Sequence, residues 1–273
     1  MNGRVDLPPG WTWATVEEIS AAEPRSITDG PFGSNLKTEH YTTSGARVVR
    51  LQNIGEGNFR NDEAYISLEH FGRLENHAVR TGDVLIASLG DELPRACMAP
   101  DLKGPAIVKA DCIRLRVHPS ISAAYVMWAL NSAPVRSAFK SKIHGLGRPR
   151  LNLTELRSAP IPLAPAEEQR RIVDAIDAQF SVIDATVEGI RTLVGSVTVT
   201  RDSRIGRLRS SILNSAFSGR TVPQVGTDVP AEVLLKQIAE DRAALPPAAR
   251  RRRPGGSKSN AKPRAVADAR ESE

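Results

Sequence analysis

The chain has little of what usually announces covalent architecture or catalysis. Its 273 residues include two cysteines, Cys97 and Cys112, and five histidines, and aromatic residues make up 4% of it. Two thiols without metal-type spacing exclude a disulfide framework and a zinc finger, and are expected as buried, reduced side chains. No apolar run approaches the ~20 residues of a membrane span. The opening MNGRVDLPPGW holds no apolar signal region, so the expectation is a soluble, cytoplasmic protein. DGPFGS at 29–34 lacks the GxxxxGK[ST] pattern of a phosphate-cradling loop, and no HExxH occurs. Ser88 precedes Leu89–Gly90, which does not make a nucleophile elbow. His40, His70, His77, His118 and His144 are scattered and expected at the polar surface. No residue set is expected to be catalytic or to bind a metal or cofactor.

Positive charge is present but unevenly placed. The formal net charge is +6. From Arg250 onward stand Arg250, Arg251, Arg252, Arg253, Lys258, Lys262, Arg264 and Arg270 against Asp268, Glu271 and Glu273. The body is therefore nearly balanced, and local patches say more than the total. Residues 246–273 read as a basic disordered tail that could touch phosphates.

Up to about residue 153 the pattern is mixed. A short helix is expected around Thr15–Ile19, and strands in ARVVRLQNI (46–54), GDVLIAS (82–88) and AIVKADCIRLRV (106–117). Val84, Leu85 and Ile86 form a continuous apolar run, as a strand buried on both faces does. SAAYVMWALNS (122–132) and PVRSAFKSK (134–142) read as helices. After PIPLAP (160–165) the apolar positions Val173, Ile176, Phe180, Ile183, Val187, Ile190, Val194 and Val197 recur at alternating spacings of three and four, a heptad seam. Gly195 and the β-branched VTVT after it weaken the helix there. A second helical stretch, 204–217, ends at Gly219. A continuous helix over 166–217 would span about 75–80 Å. No domain of ordinary size covers such a rod, so its seam is expected to meet a second chain. AEVLLKQIAEDR, within 221–245, reads as one further short helix.

LPPGW (7–11), DGPFGSNLKTEHY (29–41), VVRLQNIGEGNF (48–59), GRPRLNLTELRSAPIPLAPAEEQRRIVDAID (147–177) and LRSSILNSAFSGRTVPQ (208–224), in this order, resemble the specificity (S) subunit of Type I restriction–modification systems. The likeness covers roughly residues 7–245. Such subunits carry recognition domain and helix twice over, whereas this chain has one of each, so it looks like a half-length form or one portion of a split longer chain. The resemblance implies an α+β fold. An α/β target-recognition domain with a twisted sheet (7–153) precedes a long coiled-coil-like helical arm (154–220). It also implies a non-catalytic subunit. Its partners would be double-stranded DNA, modification (M) subunits, a restriction (R) subunit, and a second copy or sibling half paired through Val173, Ile176, Phe180, Ile183, Val187, Ile190 and Val194. S-adenosylmethionine, ATP and Mg would belong to those partner subunits. No methyl-donor motif is present in this chain.

Reading DNA needs cations and backbone donors on phosphates, and amide or guanidinium groups at base edges. Gly30 and Gly33 allow close backbone approach, and Ser34, Asn35, Lys37 and Thr38 supply short polar groups and one charge. Arg50, Gln52 and Asn53 follow a strand, where Arg suits guanine and the amides suit adenine. A second patch, 136–157, holds Arg136, Lys140, Lys142, Arg148, Arg150 and Arg157 against Glu155. Arg95 belongs to a third region. The competing reading is a coiled-coil adaptor whose head binds protein; the balanced body charge is its support.

Overall fold

The structure is a computed structural model that describes residues 6–90, 92–140, 149–194 and 203–245. In chain order the first strands are β1 (Thr12–Thr15), β2 (Ile27–Asp29), β3 (Tyr41–Thr42), β4 (Ala46–Val49), β5 (Tyr65–Ile66) and β6 (Ala78–Val79). They are followed by β7 (Val84–Ala87), β8 (Arg95–Met98), β9 (Ala106–Val108), β10 (Cys112–Leu115) and β11 (Pro160–Leu163). The α-helices are α1 (Leu68–Leu74), α2 (Ala123–Asn131), α3 (Ala133–Lys140) and α4 (Leu153–Arg157). The last three are α5 (Ala166–Val194), α6 (Ser203–Ala216) and α7 (Ala231–Ala244).

Two sheets stack. One is antiparallel, in the order β2-β10-β7-β8, and the other runs β3-β5-β4-β9-β6 with β4 and β9 parallel. The apolar run of β7 is explained by this stacking. Val84 and Ile86 enter a core shared with Ile113, Leu115 and α2, while Leu85 and Ala87 enter the layer between the sheets with Val49, Val108 and the free thiols Cys97 and Cys112. Burial pushes the Cys97 thiol up to about 12. A third apolar layer, with Val48, Ile66, Leu74 and Ile107, closes the outer face of the second sheet around α1. The expected strand at 46–54 stops at Val49, because the Asn53 side chain accepts from the Arg50 amide and turns the chain into a 3-10 helix. The expected helix near Thr15–Ile19 is instead a turn, tied by Thr15 amide and hydroxyl bonds to the Glu18 carboxylate, after which Ser20 bridges to Val117.

Helix α2 joins the head to the arm. Ser122 caps it by accepting from the Tyr125 amide, and Tyr125 through Asn131 are all buried. Asn131 accepts from the Ala96 amide and donates to the Ala96 carbonyl, fixing α2 on β8. On its other side Trp128 meets Phe180 edge-on at 4.9 Å and its indole donates to Asp177 at 3.2 Å.

The arm differs from the expected rod. Helix α5 has 29 residues, about 44 Å, and α6 runs back along it: Arg209 pairs with Asp184 and stacks on Phe180, and Phe217 reaches Tyr125 at 5.2 Å. The seam residues expected to face a second chain are accordingly divided. Ile176 and Phe180 are buried in the head's own core, and Val173 and Ile183 pack against it. Ile172, one position off the expected seam, is fully buried there too. The reason is that α2 and α6 offer this stripe an apolar surface within the chain. Val187 is half-buried and Ile190 exposed; the side chain of Val194 lies outside the described residues.

Gly219, at φ +68°, ends α6, and the Arg220 amide donates to the Ser215 carbonyl in the helix-closing pattern of a left-handed cap. The 221–245 segment then returns to the head. Ala231 and Ile238 are buried, Arg242 donates to the Glu17 and Ser20 carbonyls, and Asp241 lies 3.2 Å from His118. His118 is thus a buried side chain rather than the surface residue expected. Strand β11 pairs with β1, so the head continues past the expected boundary at 153.

If the first half of the seam is core, Ile172→Ala and Ile176→Ala each lower unfolding free energy by about 2–5 kcal/mol. Ile190→Ala changes it by less than about 0.5 kcal/mol. Urea titrations giving equal, small losses at all three positions would refute this packing.

Candidate nucleic-acid interface

The parallel strands β4 and β9 end at the same edge, and the Lys109 amide donates to the Val49 carbonyl there. Three loops meet at that edge. The first is the opening loop after β2. Gly30 lies flat on the end of β9: a Cβ would come within 2.2 Å of the Lys109 carbonyl carbon, so only glycine lets the chain cross. Phe32 is then left 48% exposed. Leu36 is buried and pins the loop, while Ser34, Asn35, Lys37 and Thr38 face solvent. His40 accepts from the Lys37 amide, His70 Nε2 donates to the Asn35 carbonyl, and the two imidazoles stack at 4.3 Å. Asn35 spends its amide on the Phe32 carbonyl, and Lys37 lies 3.5 Å from Glu39.

The second loop carries Arg50, Gln52 and Asn53. Asp62 accepts from Arg50 at 2.9 Å through one oxygen and from Gln52 at 2.8 Å through the other. The Gln52 bond and the Arg50 charge pull the Asp62 carboxyl below the ordinary range. Gln52 is exposed and Arg50 half-buried, both presented at the edge. Asn53 corrects the expectation. It is fully buried, its amide donates to the Arg60 and Asp62 carbonyls, and its oxygen is taken by the Arg50 amide, leaving no polar group for a base.

The third loop is the segment from Pro149. The Leu151 amide donates to Ser88 and the Gly90 amide to Pro149, which brings Arg150 beside the opening loop. Arg150 pairs with Asp111 at 3.2 Å and lies over the Phe32 ring at 5.6 Å. Other expected cations turn inward. Arg95 donates to the Ile54 carbonyl, Arg136 pairs with Glu56, and Arg157 pairs with Glu17 and donates to the Ile27 carbonyl. These bonds tie the loops of the head to one another. Lys142 and Arg148 lie outside the described residues.

Between the first and third loops is a cavity of about 260 Å3 lined by Asp29, Phe32, Ser88, Arg150, Asn152 and Thr154 among others. Burial raises the Asp29 carboxyl above its ordinary range despite its own backbone hydrogen bond and the nearby His77, Arg150 and Arg157. Asp29, Phe32 and Lys109 are not among the residues expected from the sequence. The aromatic between two glycines in GPFG was the available signal for Phe32; nothing local marks the other two.

The family model for the Type I restriction modification DNA specificity domain matches residues 52–193, more than half of the chain. The chain belongs to this specificity-domain family. The EcoAI specificity subunit of Escherichia coli is 23% identical over 88% of this chain and 45% of its own length. The EcoBI specificity subunit of the same organism is 25% identical over 89% and 50%. This family member thus spans about half the length of the curated relatives it matches. Among solved structures, the HsdS subunit from Thermoanaerobacter tengcongensis aligns over 81% of this chain and 48% of its own, with 22% identity and a TM-score of 0.48. Among the described residues of this specificity-domain chain, no helix is long and apolar enough to cross a membrane.

Two outcomes are expected from the Asp62 cluster. Asn53→Ala lowers stability by about 1–3 kcal/mol, since it orphans buried backbone groups. Gln52→Ala changes it by less than about 0.5 kcal/mol; chemical denaturation separates the two. A carboxyl lowered on folding stabilises above its unfolded pKa and loses that contribution as pH falls through the folded value. By NMR titration, the Asp62 midpoint lies below that of a free Asp and returns toward it in Gln52→Ala.

Proposed function

We propose that this chain is a DNA sequence-specificity subunit of a Type I restriction–modification complex, reading one half of a bipartite target. The observation that carries this is the family match over residues 52–193, which takes in the third of the loops converging where β4 and β9 end and, from Gln52 onward, the second. Exposed Ser34, Asn35, Lys37, Thr38 and Gln52, with Arg50 and Arg150 beside them, are the proposed contacts. Arg50 and Gln52 are the proposed base readers: a guanidinium matches guanine O6 and N7, and an amide matches adenine N6 and N7. The ion pairs that hold Arg50 and Arg150 are exchanged for base contacts on binding.

The chain performs no chemistry in this proposal. Modification subunits bring S-adenosylmethionine and methylate adenine, and the restriction subunit brings ATP-driven cleavage. The complex works in the cytoplasm, where the DNA is. The α5–α6 hairpin joins a second copy or a sibling half through the part of its surface that the head leaves bare, where Val182, Ile190 and Leu208 are exposed. Pairing about a two-fold axis sets two half-sites apart by unread bases.

Selection from random duplexes, by the chain alone and with a modification subunit, is expected to return short half-sites at a constant separation. Arg50→Ala and Gln52→Ala each relax one position, by about 1–3 kcal/mol for a lost bidentate contact. Selection that returns no consensus in either condition overturns the proposal.

A further inference from the structure

The cavity between the opening loop and the Pro149–Thr154 segment presents three chemistries that together suit one ligand. Phe32 stands at its mouth, 48% exposed, with the Arg150 guanidinium over the ring at 5.6 Å. An exposed phenylalanine gains free energy when a flat apolar partner covers it, and every nucleobase has such a face. Asp29 lines the wall, set back at the end of β2, where His77 holds its carbonyl. A carboxylate on a surface that meets phosphates repels them. The groups on DNA that welcome it are the exocyclic amino groups of the bases. A carboxylate recessed in a cavity wall meets such a group when the base leaves its stack and enters, as bases do in pockets that combine aromatic stacking with edge recognition.

We infer that this cavity receives one unstacked nucleobase, with Phe32 and Arg150 forming its stacking surface and Asp29 accepting from its exocyclic amino group. Asp29 is then a specificity determinant that favours a base with an exocyclic amino group over thymine, whose one donor is the ring N3–H flanked by two carbonyls. The inference rests on the proposed DNA reading and adds to it a change in the DNA, the extrusion of one base. Burial raises the Asp29 carboxyl, and a donor at the cavity wall relieves that desolvated charge.

The test uses the full chain, with the modification subunit if selection requires it, bound to duplexes of the selected consensus carrying 2-aminopurine at one position at a time. Fluorescence is expected to rise on binding at a single position, the mark of an unstacked base. Phe32→Ala, a change at an exposed side chain, removes the rise and weakens binding about ten- to hundredfold. Asp29→Asn keeps the rise but admits thymine at that position, because an amide offers a donor as well as an acceptor. Thermal unfolding of both variants confirms that each is folded. A normal consensus with no position brightening, or both folded variants keeping the rise and the preference, overturns the pocket and leaves the DNA reading standing. Absence of any consensus overturns both.

Discussion

Everything in this molecule hangs on helix α2 being buried from two sides. One side is fixed to β8 by the Asn131 side chain, which satisfies both the amide and the carbonyl of Ala96. The other carries Trp128 against Phe180 and Tyr125 against Phe217. The sheet, both arm helices and α7 therefore share one apolar cluster. Gly57 shows how tightly the head closes on this element: a Cβ there would fall 2.1 Å from the Trp128 ring.

The charges of the head follow a second logic. Arginines that the sequence clusters are joined to carboxylates from other loops: Arg47 to Glu63, Arg50 to Asp62, Arg136 to Glu56, Arg150 to Asp111, Arg157 to Glu17. Within the interior, Arg116 bonds both Asp83 and Glu23. Such pairs hold long loops in one arrangement, and they leave modest attraction for phosphates in general. Under the proposed function, a head built this way suits discrimination between sequences better than unselective grip. In the proposed assembly the grip comes from the partner subunits.

The opening loop shows how a flexible-looking stretch becomes a fixed surface. Gly30 crosses a strand end, Leu36 is sunk in the third apolar layer, and the His40–His70 stack ties the 3-10 turns to α1. Between these anchors the polar groups are held outward. The same anchoring leaves Phe32 48% exposed, with the Arg150 guanidinium over its ring.

Local chemistry alone determined much of this. The apolar run of β7, the capped helix α2, the stop at Gly219 and the amphipathic stripe of α5 follow from side-chain periodicity and backbone preference, which neighbouring residues suffice to set. The ordered segments from LPPGW to the helical arm also pointed to the specificity family. Tertiary structure decided what the stripe touches. Spacings of three and four select a helix face but not the surface that covers it, so Ile176 and Phe180 pack on α2 and α6 of their own chain. It decided as well that Asn53 is a scaffold amide and Gln52 a presented one, though they are adjacent: one points into the turn it closes and the other out of it. The meeting of Asp29, Phe32 and Arg150 was legible nowhere in the text of the chain, because it joins residues more than a hundred positions apart.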